Sequence, residues 1–272
     1  MRSSRKKYVP LADQNFSVDD IVIALRFSEL KAYYQPKIKL FDLELSALEV
    51  LARWEHPLFG VLAPDNFLHA VVEGGLLDEM TYSLLEQALT LQKRLSYKGI
   101  ETKIAINLEP SQLADSAFIS SFISQAQYHG AENNLVIEIT ERDNGTIALQ
   151  RLAINAKKLQ EAGFFLSIDD FGIGYSSLER ICKIPCAEIK IDKSFVKKIC
   201  TDVQYHKMVQ LMINIGRTML LNVVAEGIES LQQLNLLQSL GCQEGQGYLF
   251  SAAMSSERVE EWCGHWSGHT SP

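Results

Sequence analysis

From Pro64 onward, short runs rich in β-branched and aliphatic residues alternate with stretches of helical period, and this alternation leaves few folds open. Helical pattern over 76–96 precedes a strand at 103–107, 117–129 precedes 135–139, and 147–162 precedes 165–168. The series continues with a short helix over 176–182 before 188–191, then 205–220 before 222–225, and 231–240 before 247–250. A strand, helix, strand unit returning to one sheet makes a parallel pair, and roughly eight such strands close into a barrel. The spacing therefore predicts an α/β fold, a modified TIM-type (β/α)8 barrel. The modification comes at the start. Ser17 followed by Asp19 and Asp20 caps a helix running to about Leu30, and two strand-like runs, 32–40 and 45–54, are joined by a short polar turn. That hairpin makes the first strand antiparallel.

No low-complexity linker breaks the series. The expected partition is a basic flexible leader over 1–15, one barrel domain over 16–262 and a tail over 263–272. The 26 basic and 33 acidic side chains leave a net charge of −7, which argues against DNA or RNA polymers as partners. No run approaches the ~18 apolar residues of a membrane span, so no membrane insertion is expected. The five cysteines have neither the paired spacing of zinc or redox sites nor an even number, which points to reduced thiols and a cytoplasmic setting.

What carries chemistry is the position of the polar residues. In a barrel, polar side chains at the C-terminal ends of strands point into the mouth where the loops converge. Here Glu49, Asn107, Glu138, Asp169 with Asp170, Lys190 and Glu226 each stand in or directly after an apolar strand run. A lone carboxylate so buried costs several kcal/mol, and several together repel one another unless a counter-charge is supplied. An all-oxygen donor set selects Mg2+, Mn2+ or Ca2+ rather than zinc. The adjacent pair Asp169 and Asp170 can reach two ions, an arrangement suited to phosphoester hydrolysis.

These residues lie in segments that together resemble the EAL-domain family of cyclic-di-GMP phosphodiesterases. The segments are Tyr33-Tyr-Gln-Pro36, Glu49-Val-Leu-Ala-Arg-Trp54, His56-Pro57, Asn107-Leu108, Glu138-Ile-Thr-Glu141, Asp169 to Leu178, Lys190-Ile-Asp192, Ala225 to Glu229 and Gln246-Gly-Tyr248. The resemblance implies hydrolysis of cyclic di-GMP to linear pGpG with two divalent cations, Mg2+ or Mn2+, and Ca2+ binding without supporting turnover. It implies that Glu49, Asn107, Glu138 and Asp169 hold one ion, and that Asp169 and Asp170, with Glu226, hold the second. Lys190 matches the lysine beside the nucleophilic water; Glu49 and Glu226 join it as catalytic positions. Gln35, Arg53 and Gln246 match substrate-side residues, Arg53 contacting a phosphate. Glu141 resembles the glutamate that steadies the loop after Asp170, and that loop, with Phe171, Gly172, Ile173 and Gly174, is tied to homodimer contact. Val50 replaces the alanine of the naming motif, and Ile173 stands where a smaller residue is usual. The alternative reading is a catalytically silent receptor for the same nucleotide, or a protein-interaction module using the same groove.

Overall fold

A computed structural model describes residues 16–140, 148–173 and 177–266. The leader 1–15, Glu141, Gly174 and most of the tail lie outside these residues. The strands are β1 (Leu30–Lys39), β2 (Leu45–His56), β3 (Gly60–Leu62), β4 (Lys103–Leu108), β5 (Leu135–Ile139), β6 (Phe165–Phe171), β7 (Glu188–Ile191), β8 (Asn222–Ala225) and β9 (Glu244–Gly245). The helices are α1 (Val18–Arg26), α2 (Leu68–Glu73), α3 (Leu77–Tyr97), α4 (Pro110–Ala114), α5 (Ser116–Tyr128), α6 (Leu149–Glu161), α7 (Ser177–Lys183), α8 (Lys193–Val196), α9 (Val203–Met219), α10 (Leu231–Leu240) and α11 (Ser256–His265).

Strands β2, β4, β5, β6, β7, β8 and β9 lie side by side in parallel, and β1 closes the ring by pairing antiparallel with both β2 and β9. The expected modified barrel with an antiparallel first strand is the observed one. The short β3 adds a hairpin outside the ring.

Strand parity separates two environments. Ile104, Ile106, Ile137, Ile139, Ile189 and Ile191 face outward and are buried under the helices, so the apolar core is the shell between sheet and helices. Alternate positions on the same strands, Glu138, Glu188 and Lys190 among them, point into the barrel, which is polar toward its mouth. At ~1.5–3 kcal/mol per buried aliphatic side chain, the outer shell stabilises the scaffold that holds these charges together.

Several boundaries differ from expectation. Helix α1 ends at Arg26 rather than near Leu30, because Ser28 takes a positive φ of 52° and the chain turns into β1. Its start is as read: Ser17 and Asp20 form a reciprocal capping box. The last strand is Glu244–Gly245, not 247–250. The amides of Phe250 and Ser251 donate to the Gly247 carbonyl and curl that stretch into a turn. Gly247 lies so close to the backbone of Ile228 that a Cβ there would stand 2.2 Å from its carbonyl oxygen. Finally, α11 runs to His265, so the boundary expected at Trp262 falls inside a helix. Among the described residues no helix is long and apolar enough to cross a membrane.

Candidate functional site

The mouth of the barrel opens as a groove of about 730 Å³ whose lining includes Gln35, Glu49, Asn107, Asp169, Asp170, Glu226 and Gln246. At its floor, fully buried Lys190 extends from β7 into a ring of carboxylates. Its Nζ lies 2.8 Å from Glu138 Oε2, 2.8 Å from Glu226 Oε1, 3.1 Å from Asp169 Oδ1 and 3.5 Å from Glu49 Oε2. The sequence separates these groups by up to 177 positions, and closure of the sheet brings them around one ammonium.

Each arrives by a local device. Glu49 and Glu138 take inward positions in the middle of β2 and near the end of β5, flanked by outward apolar neighbours. Asp169 and Asp170 are consecutive, so strand alternation would send them to opposite faces. A register irregularity prevents this: Ile168 pairs with Ile189 and Phe171 with Ile191, which places one extra residue on β6. Asp170 takes a left-handed φ of 54°, tolerated by aspartate better than by most side chains, and its amide donates to Asp169 Oδ1 at 2.9 Å. Oxygens of Asp169, Asp170 and Glu226 consequently lie within 4.8 Å of one another. Gln246 follows β9, donates to Glu49 Oε2, and reaches Gln35 Oε1 at 3.4 Å. The compact turn at Gly247 fixes where Gln246 points. Asn107 Nδ2 donates to Glu49 Oε1 at 3.3 Å.

The charges are strongly interdependent. Burial, with Glu138 and Asp169 nearby, raises the Glu49 carboxyl to about 7 against the pull of Lys190. Burial raises Glu226 to about 8, with Asp169 and Glu49 adding to it. Burial works against Glu138 too, but Lys190 and Lys37 overcome it and hold that carboxyl below its ordinary value. Burial lowers Lys190, yet Asp169, Glu138, Glu226 and Glu49 together raise it well above the usual lysine range, so it stays charged. Two carboxyls held near neutrality mark a cluster with more negative charge than one ammonium can balance.

Of the expected substrate-side residues, Gln35 and Gln246 line the groove, whereas Arg53 turns its guanidinium to the Ala52 carbonyl at 2.7 Å and lies outside the lining. Phe171 is buried, Gly172 has a φ of 102° with Met212 and Phe195 packed against its α-carbon, and Ile173 is 58% exposed. The structure adds residues to which the sequence assigned no role. Lys193 in α8, Lys197 just after it, Glu229 and Tyr248 all line the groove. The spacing of the two lysines after the C-terminal end of β7 was the available signal. Lys37 enters the cluster from below, its Nζ 3.3 Å from Glu138 Oε1 and 2.6 Å from Glu188 Oε1.

Comparison with known proteins agrees with this geometry. The EAL domain profile matches residues 18–253. The cyclic di-GMP phosphodiesterase RocR of Pseudomonas aeruginosa is 36% identical over 251 residues, covering 91% of this chain and 63% of its own length. The bifunctional diguanylate cyclase/cyclic di-GMP phosphodiesterase MucR of the same organism is 34% identical over 88% of this chain and 35% of its own length. The chain thus spans from about a third to under two thirds of these relatives. The structure of the PaMucR phosphodiesterase in complex with c-di-GMP superposes with a TM-score of 0.82 at 33% identity, over 89% of this chain and 98% of that one. The match over most of its length, with the acidic and lysine positions gathered at the barrel mouth, places the chain in the EAL domain family.

Proposed function

We propose that this chain is a metal-dependent phosphodiesterase that opens cyclic di-GMP to linear pGpG. The observation that carries the reading is the complete ring of Glu49, Glu138, Asp169 and Glu226 around Lys190 at the floor of the groove. The relatives named for this activity, and the PaMucR complex, support the choice of nucleotide.

The donor chemistry fits two divalent cations. Asp169, Asp170 and Glu226 offer hard oxygens within 4.8 Å of one another, and the family resemblance assigns the neighbouring ion to Glu49, Asn107, Glu138 and Asp169, of which Glu49, Glu138 and Asp169 surround the Lys190 ammonium. Bound there, Mg2+ or Mn2+ would lower the pKa of the attacking water and offset negative charge on the phosphate. The chain's own residues do the rest. Lys190 keeps its proton and presents a fixed positive charge where charge develops on the phosphate in the transition state. Glu226, which lines the groove beside Asp169 and Asp170, is placed to take the proton of the attacking water. The water oxygen bonds to phosphorus as the bond to the opposite 3′-oxygen breaks, and that oxygen takes up a proton from solvent, to which Glu226 returns the one it accepted. Lys193 and Lys197 add positive charge along the groove for the second phosphate, Gln246 fixes Glu49 and is itself held by Gln35, and Arg53 would have to leave the Ala52 carbonyl to reach a phosphate.

Incubating the purified chain with cyclic di-GMP and Mg2+ or Mn2+, followed by chromatography of the nucleotides, should yield pGpG. Excess chelator should lower the rate by about 100-fold or more, since the attacking water loses its activation. Ca2+ should bind without restoring the rate, because its looser coordination orients the reactants poorly. Undiminished turnover in chelator sinks the two-cation reading, and binding without cleavage turns the chain into a silent receptor.

We further infer a cytoplasmic homodimer with the segment after Asp170 near its interface. The 58% exposure of the apolar Ile173 beside Gly172 supports this. Ile173→Thr should weaken association about 10-fold in sedimentation experiments, and unchanged association removes Ile173 from the interface.

A further inference from the structure

Two inward positions on β1 lie two residues apart: Gln35 at the level of the groove and Lys37 one layer deeper. Lys37 is completely buried, inside a barrel whose function is accounted for above without it. Its ammonium bridges two strands. Glu188 on β7 accepts at 2.6 Å and Glu138 on β5 at 3.3 Å. Glu138 is therefore held by both oxygens, Oε1 by Lys37 from beneath and Oε2 by Lys190 at 2.8 Å. Glu188 is fixed in turn, because Asn222 Nδ2 donates to its Oε2 at 3.0 Å. Between the two glutamates in register lies Ser167, a small side chain that leaves room for both carboxylates to converge.

Folding alone does not call for this arrangement. A buried ion pair can be exchanged for apolar side chains of similar volume with little loss or a gain in stability. A carboxylate with both oxygens held in place, however, presents a ligand of fixed orientation, and partners behind a metal ligand commonly change affinity or rate by about 10–100-fold. We propose that Lys37, anchored by Glu188, is a positioning residue that fixes Glu138 for cation binding. This inference rests on the two-cation reading above.

The test is titration of the metal-free chain with Mn2+ by calorimetry, alongside kcat and KM for cyclic di-GMP. Lys37→Met should weaken Mn2+ binding about 10-fold or more and lower kcat by about 10–100-fold, with KM within about twofold of the parent value. Glu188→Gln, which touches no groove residue, should produce a smaller loss of the same kind. The double variant should match Lys37→Met alone, since Glu188 acts only through Lys37. If Lys37→Met does not fold, Glu188→Gln and the double variant, whose charges are again balanced, still decide. Mn2+ binding as tight as the parent's in these variants, or losses that simply add, overturn the proposal. A parent chain that binds no Mn2+ overturns the catalytic reading and this one with it; parent-like binding by Lys37→Met overturns this one alone.

Discussion

Replacing Lys190 by methionine is expected to lower hydrolysis by about 1,000-fold or more and, in the metal-free protein, to cost about 3–5 kcal/mol of stability. The two effects share one cause. Four carboxylates lie within 3.5 Å of the Lys190 ammonium, and the side chain itself is completely buried. Without it these groups face one another in a site that water reaches poorly, and they must take up protons or separate. Melting in chelator should fall by roughly 10 °C. Saturating Mn2+ should recover most of that loss, because bound cations replace the missing charge, while turnover should stay low. A variant that melts like the parent in chelator would show that the carboxylates do not depend on Lys190 for their charge balance.

Asp169→Asn is expected to reduce turnover by about 1,000-fold while leaving the fold intact. Asp169 is the residue common to both proposed cation sites, since its oxygens approach both Lys190 and the Asp170 and Glu226 carboxylates. Several kcal/mol of transition-state stabilisation supplied by the cations corresponds to that factor in rate. The amide keeps an oxygen for the Asp170 backbone bond and relieves, rather than adds, repulsion around Lys190. Stability in chelator should consequently hold or rise slightly, opposite in sign to the lysine variant. Nucleotide affinity measured in Ca2+ should fall less than the rate. A rate within 10-fold of the parent would remove Asp169 from its shared role.

These two residues also show what the sequence conveys and where it stops. Lys190 and Glu138 were legible because a charge inside a short apolar strand has few places to go in a barrel other than the mouth. Asp169 and Asp170 were legible as residues, but the extra residue on β6 that turns both inward was not, because a bulge depends on how β6 and β7 pair. Lys37 was hidden for a different reason. A lysine in a strand beside a turn ordinarily keeps its charge in water, and its partner Glu188 is 151 residues away. The barrel followed from periodicity alone, whereas the last strand did not. Gly247-Tyr-Leu-Phe250 has a strand-like composition, and only contact with the Ile228 backbone turns it into a curl.

The reversed first strand alters where the chain enters the barrel. In a ring of uniformly parallel strands the leading segment would meet the sheet at the end opposite the groove. Here Leu30 pairs with Trp54 near the C-terminal end of β2, and Phe16 packs against Trp54, His56 and Phe59. The chain at Phe16 thereby lies at the open rim. A pull or a twist applied at Phe16 would be felt first on β2, the strand that carries Glu49, without having to cross the barrel wall.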